Sequence, residues 1–124
     1  MRLSESGNTQ LYISHYDNES VTINQQRYSH SIIVSPDRVT PGNPSQPADY
    51  IYKSTKNLLQ ALPDIIIFGT GNRSKKPPQY AIDACNEARI GYEFMNTPSA
   101  CRCINLLLEE ERNLVALLII GGTT

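Results

Sequence analysis

A run of four apolar residues, Ile65-Ile66-Ile67-Phe68, and a second of seven, Leu114 to Ile120, constrain this chain more than any other feature. Neither alternates with polar residues, which is the pattern of strands covered on both faces. Between them lie two stretches of helical periodicity and one short strand-like segment. The first stretch follows Pro77 and Pro78, which are expected to open a helix at its first turn, and repeats at Ala81, Ile82, Cys85 and Ala88. The second has Thr97 as expected N-cap and Pro98 at the first helical position. It repeats at Ala100, Cys103, Ile104, Leu107 and Leu108, spaced i, i+3, i+4, i+7, i+8. Tyr92 to Met95 reads as the strand between them. Right-handed β-α-β crossovers then cover one sheet with both helices.

The first half of the chain reads differently. Leu11-Tyr12-Ile13, Val21-Thr22-Ile23 and Ser31-Ile32-Ile33-Val34 are short β-prone segments. The turn-like Asp17-Asn18 and Asn24-Gln25-Gln26 separate them, which suggests an antiparallel meander. Four of the eight prolines, Pro36, Pro41, Pro44 and Pro47, then fall within twelve residues. Proline supplies no N–H, so this stretch is expected as a loop without a ladder of its own. Tyr50-Ile51-Tyr52 reads as one more strand. Thr55 reads as the N-cap of a short helix that carries Leu58, Leu59 and Leu62 and stops at Pro63. At 124 residues the chain supplies one core and not two. A single α/β domain over residues 1–124, with an antiparallel β layer from the first half, follows.

Charge and leader composition narrow the function. Eleven basic residues against twelve acidic ones argue against a nucleic-acid binder, which is normally basic overall. Neither apolar run approaches the ~20 residues of a membrane span, so no membrane insertion is expected. Met1 to Gly7 contains no apolar leader segment, and three cysteines are an odd, sparse set. A reducing cytoplasm is the expected setting.

Chemistry is expected at the two βα turns, Gly69 to Lys76 and Asn96-Thr97-Pro98, which project beyond the carboxyl ends of their strands. The first offers flexible N–H groups with Arg73, Lys75 and Lys76 close by. The second offers the open N–H groups of a helix start, with Arg102 one turn further on. A small anion held between them is one reading. A tight turn with a solvated basic face is the plainer one. Gly69-Thr70-Gly71-Asn72-Arg73-Ser74 lacks the third glycine of a dinucleotide loop, and Pro77 delays the helix that such a loop must open. Asn96 stands where a ribose-binding acid is expected. No nucleotide cofactor is implied. Cys101 and Cys103 point apart on a helix and cannot share a metal. Cys103 falls within the apolar stripe. Cys101 falls at its edge, where the helix dipole and Arg102 would lower its pKa. Its nearest candidate bases, His15 and His30, lie in the distant meander. Glu93 on the second strand needs a partner if buried, and Arg102 is the expected one.

The segments Pro63-Asp64-Ile65-Ile66-Ile67-Phe68-Gly69-Thr70-Gly71, Ile90-Gly91-Tyr92-Glu93-Phe94-Met95-Asn96-Thr97 and Ser99-Ala100-Cys101-Arg102 follow one another in order. Asn105-Leu106-Leu107, Glu109 and Arg112 continue the pattern. From about residue 63 to 120 the chain resembles the Mth-type, adipogenesis-associated family of domains of unknown function, which includes the mitochondrial respiratory complex I assembly factor. The resemblance implies a three-layer α/β fold with a mixed central sheet, two crossover helices and an additional N-terminal antiparallel β layer. It implies no established enzymatic activity and neither cofactor nor metal. The family's shared pocket corresponds to Gly69, Thr70, Gly71, Glu93, Thr97, Cys101 and Arg102, to which the basic loop adds Arg73. The chain departs from the family at Lys75-Lys76, at Arg89 in place of a helix-ending glycine, and at Cys103-Ile104 in place of a Thr-Tyr pair. The expected function is a non-enzymatic domain acting through protein contacts, with assembly of a membrane complex as its setting. The alternative is a small anionic-ligand binder or enzyme using the Gly69–Lys76 loop, the Thr97 helix start and Arg102.

Overall fold

The structure, a computed structural model, describes residues 10–17 and 19–121. Met1 to Gly7, Asn18 of the first turn and Gly122 lie outside the described residues. Two sheets form. Strands β1 (Ile13–Tyr16), β2 (Val21–Ile23) and β3 (Gln26–Tyr28) make an antiparallel three-stranded sheet. Strands β4 (Ile32–Ser35), β5 (Arg38–Pro41), β6 (Ile65–Gly69), β7 (Gly91–Met95) and β8 (Leu114–Leu118) make a mixed sheet in the order β5-β4-β8-β6-β7. The last apolar run of the sequence thus lies at the centre, parallel to β6 and antiparallel to β4.

The continuous apolar runs are explained by what lies on each face. Ile66, Phe68, Val115 and Leu117 pack towards α2 (Gln79–Ala88) and the short α1 (Thr55–Leu59). Ile67, Leu114, Ala116 and Leu118 pack towards α3 (Thr97–Glu109) and the three-stranded sheet. Phe68, Ile66, Ile67 and Leu117 are fully buried, each contributing about 1.5–3 kcal/mol. The result is the three-layer α/β arrangement with two crossover helices and an additional antiparallel layer.

The first half differs from its sequence reading in several places, beginning with β1, which runs over Ile13–Tyr16 and not Leu11–Ile13. The third strand of the meander is Gln26–Tyr28, because Asn24 and Gln25 (φ 48° and 74°) form a two-residue hairpin turn with the left-handed backbone such turns require. The segment 31–34 leaves the meander: β4 pairs with β5 and β8. The proline stretch does carry a strand. Pro36-Asp37 turns a hairpin that pairs Ser35 with Arg38, and Pro41 ends β5 at the sheet's edge, where a missing N–H costs little. Tyr50-Ile51-Tyr52 belongs to a 3-10 helix, Ala48–Ser54, in which consecutive Ile51 and Tyr52 are both buried and Tyr52 packs 5.8 Å from the Phe68 ring. Thr55 is the first residue of α1, not its cap, and donates its hydroxyl to the Tyr52 carbonyl (2.7 Å). Leu62 lies beyond that helix, with φ 54° and its side chain exposed.

Asn105 joins the two halves. From mid-α3 its Oδ1 accepts from the Ile13 N–H and its Nδ2 donates to the Ile13 carbonyl, both at 2.8 Å. The contact sits where the β1–β2 register shifts between Ile13 and His15, so the side chain satisfies backbone groups that the ladder leaves over. Asn105→Ala is expected to cost about 2 kcal/mol. Amide hydrogen exchange should show the loss as faster exchange in β1 and β2, with β6 and β8 unchanged.

Candidate functional site

The order of the parallel strands fixes where a site would lie. The chain steps from β6 through α2 to β7, then returns through α3 past β6 to β8. The two helices therefore cover opposite faces, and the loops leaving β6 and β7 diverge. That divergence is a topological switch point, where ligands of open α/β sheets bind.

Gly69, Thr70, Gly71 and Thr97 meet there. Thr97 is the first residue of α3 and not its cap: Asn96 caps the helix, its side chain accepting from the Ser99 N–H (2.9 Å). Freed from capping, the buried Thr97 hydroxyl turns inward. It donates to the Ile119 carbonyl (2.7 Å) and accepts from the Gly71 N–H (2.9 Å). The Thr97 N–H in turn donates to the Gly71 carbonyl (2.8 Å). Thr70 makes the second knot. Its N–H donates to the Met95 carbonyl (2.8 Å), and its hydroxyl accepts from the Lys75 N–H (3.0 Å). That hydroxyl also lies between the Arg73 and Met95 carbonyls and donates to one of them at a time. Gly69 is glycine because of packing: a Cβ there would stand 2.7 Å from Leu118 and 3.2 Å from both Ala100 and the Thr97 hydroxyl.

The inward turn of Thr97 also sets the phase of α3. Its buried residues are Thr97, Ala100, Cys101, Ile104 and Leu108, so the stripe is rotated from the expected one, and Cys103 and Leu107 are only half-buried. Cys101 is fully buried, and burial pushes its thiol up to about 12, against the smaller opposing effect of Arg102. The helix dipole and Arg102 act to lower this pKa, as the sequence suggests, but burial outweighs them and reverses the direction. Burial raises Cys85 as well, and burial and Glu93 raise Cys103. All three thiols are free.

A raised thiol pKa favours the neutral form in the fold. The stability it confers is complete below the ordinary value of 9.0 and is lost as pH rises towards about 12. Urea melts should therefore lose about 1.4 kcal/mol per pH unit above pH ~9 from Cys101 alone. The same burial predicts that a thiol reagent at neutral pH labels Cys103 first in the native protein, and all three cysteines in denaturant.

The remaining candidates stand outside the knot. Arg73 is exposed on the loop, and Glu93 is exposed on β7. Arg102 is exposed on α3 and faces β1: it donates to the Tyr16 hydroxyl (3.3 Å) and Ser99 Oγ (3.0 Å) and lies 5.8 Å from the Tyr16 ring centroid. Among the described residues no ion pair joins Arg102 to Glu93. Nothing in the local sequence points to Tyr16 or the Ile119 carbonyl as partners. Asn96, one position before Thr97, is by residue type an equally competent cap. No group of three or more potential metal ligands occurs among the described residues. A separate cavity of about 650 Å³ opens between the β4–β5 hairpin and the 3-10 helix, lined by Ser31, Ile33, Gly42, Tyr50 and Ile51 among others, with no Asp, Glu, Lys or Arg in its wall. No helix among the described residues is long and apolar enough to cross a membrane.

Comparison with known proteins supplies the rest. The model of a family described as a protein of unknown function (DUF498/DUF598) matches residues 13–119. The 13 kDa major membrane protein of Francisella tularensis is 30% identical over 88% of this chain and 90% of its own length. NADH dehydrogenase (ubiquinone) 1 alpha subcomplex assembly factor 3 of Homo sapiens is 30% identical over 92% of this chain. The match covers 64% of that protein. This chain therefore spans less than two thirds of that relative's length. A crystal structure from Bordetella parapertussis superimposes with a TM-score of 0.75 at 27% identity, covering 91% of this chain and 98% of the other. A Mth938-like domain from Bordetella pertussis shares the fold, with a TM-score of 0.68 at 23% identity over 92% of this chain and 88% of its own.

Proposed function

Because the chain belongs to the DUF498/DUF598 family of proteins of unknown function, we propose that it works by holding other proteins during assembly of a membrane-bound complex, and not by turning over a small ligand. One observation carries this reading: at the switch point, the Gly71 and Lys75 N–H groups, which would have to receive an anion in the crevice, already have internal partners. The Gly71 N–H is taken by Thr97, and the Lys75 N–H by Thr70. An entering anion has to break buried hydrogen bonds, each costing about 1–3 kcal/mol to leave unmade. The names of the human relative, an assembly factor, and of the Francisella relative, a membrane protein, support the same setting. Three free cysteines suit a reducing compartment such as the cytoplasm.

Affinity capture of the tagged full chain from its source cell, with quantitative mass spectrometry, tests the reading. A reproducible near-stoichiometric partner, lost when the chain is unfolded, is the expected result. Recovery of the chain alone, together with a saturable thermal shift by a small anion, would overturn it in favour of the ligand-binding alternative built on Gly69–Lys76, Thr97 and Arg102.

A further inference from the structure

The mixed sheet has two edges, and they are not alike. At one edge, β5 ends in Pro41 and begins with Arg38, the residue types that discourage pairing with another chain. At the other, β7 carries no proline, no lysine and no bulge. The Met95 carbonyl accepts from the Thr70 N–H on the β6 side, so the alternating strand geometry turns the N–H and C=O groups of Tyr92 and Phe94 outwards. Among the described residues nothing hydrogen-bonds to those groups. Tyr92 is half-buried, and Phe94 is 37% exposed beside them.

The chemistry of the neighbourhood says what fits. The Thr70 knot ties the backbone of Arg73 and Lys75 to Met95, the last residue of β7, so the exposed Arg73, Lys75 and Lys76 follow the carboxyl ends of β6 and β7, the end past which a strand added to β7 runs. No carboxylate pairs with any of the three among the described residues. Glu93 is exposed on the opposite face of the strand from Phe94 and disfavours an acidic residue directly beside it.

We propose that β7 is a strand-addition site for an extended segment of a partner protein, apolar or neutral where it lies along Tyr92, Glu93 and Phe94 and acidic where it passes Arg73, Lys75 and Lys76. Main-chain hydrogen bonds to the edge supply affinity, and the basic loop selects the partner and speeds its encounter. This rests on the protein-contact reading above and names its surface and the partner's chemistry.

The test uses the full chain and a synthetic peptide of alternating valine and threonine, flanked at both ends by aspartate and glutamate so that either strand direction reaches the loop. A second peptide replaces the acidic ends with lysine and arginine. Exchange protection at the Tyr92 and Phe94 amides should rise with the acidic peptide, which should bind at least about tenfold more tightly than the basic one. Lys75→Glu with Lys76→Glu, at exposed positions, should abolish that preference. Phe94→Lys, at a position partly open to solvent, should weaken both peptides. Equal binding of the two peptides, protection at β5 instead of β7, or protection of Tyr92 and Phe94 by dimerisation without peptide would each overturn the proposal. A natural partner captured equally by the wild type and by the Lys75/Lys76 reversal would retain the protein-contact reading and discard this surface. Failure to capture any partner with either chain would discard the reading itself.

Discussion

Thr97→Val is expected to destabilise the protein by about 3 kcal/mol and to lower the melting temperature on the order of 10 °C. Valine matches the shape of threonine, so the packing around this buried position survives and the hydroxyl alone is lost. Two buried backbone groups are then left without partners, the Gly71 N–H and the Ile119 carbonyl. Each costs about 1–3 kcal/mol when unsatisfied. Thr97→Ser keeps the oxygen and loses one methyl, so it should cost about 1 kcal/mol. The comparison separates hydrogen bonding from packing. Equal losses for Val and Ser, measured by urea melts, would mean that the hydroxyl does not hold the crevice together.

Gly69→Ala comes next, at about 3 kcal/mol, and for a steric reason. Its backbone is ordinary strand, so no left-handed conformation is at stake. The added methyl meets the Leu118 side chain at 2.7 Å, with Ala100 and the Thr97 hydroxyl each at 3.2 Å. Leu118 is fully buried and has little room to turn, and the other two atoms are fixed by α3. Removing the obstacle should help. Leu118→Ala costs about 3 kcal/mol alone, but the double variant should be at least about 1 kcal/mol more stable than the sum of the two losses. Strict additivity would contradict the contact.

These two substitutions bear on function as well as stability. They act at the place where an α/β sheet ordinarily opens to a ligand, and there the chain uses its loop residues to tie β6, α3 and β8 together. The surface chemistry is displaced outwards, to Arg73, Lys75, Lys76 and the β7 edge.

The second half was legible because its signals are redundant. Ile65 to Phe68 and Leu114 to Ile120 are apolar at every position, and only strands covered on both faces tolerate that. Two helix patterns between them leave few topologies. The first half was less so, because short strands carry little periodicity and their partners are remote. Ile32–Ser35 has the pattern of a meander strand, yet it pairs with β8, more than eighty residues away in sequence. Pro41 reads as a ladder breaker unless its strand is known to lie at an edge. At the site, Asn96 and Thr97 are both competent caps, and local sequence cannot choose between them. The choice comes from Ile119 and Gly71, which reward Thr97 for facing inward. The one-residue shift then carries Cys101 from the stripe's edge into the core and reverses the expected direction of its pKa.

The amide of Gly71 reports directly whether the switch point is closed. Phosphate titration of the isotopically labelled protein, followed by amide chemical shifts and hydrogen exchange, should leave the Gly71 and Thr97 amides slow to exchange and free of saturable shifts. Any response should be confined to the exposed loop at Arg73, Lys75 and Lys76. A saturable shift at Gly71 with millimolar or tighter affinity, accompanied by altered exchange at Thr97, would show that the crevice opens to an anion and would contradict the account.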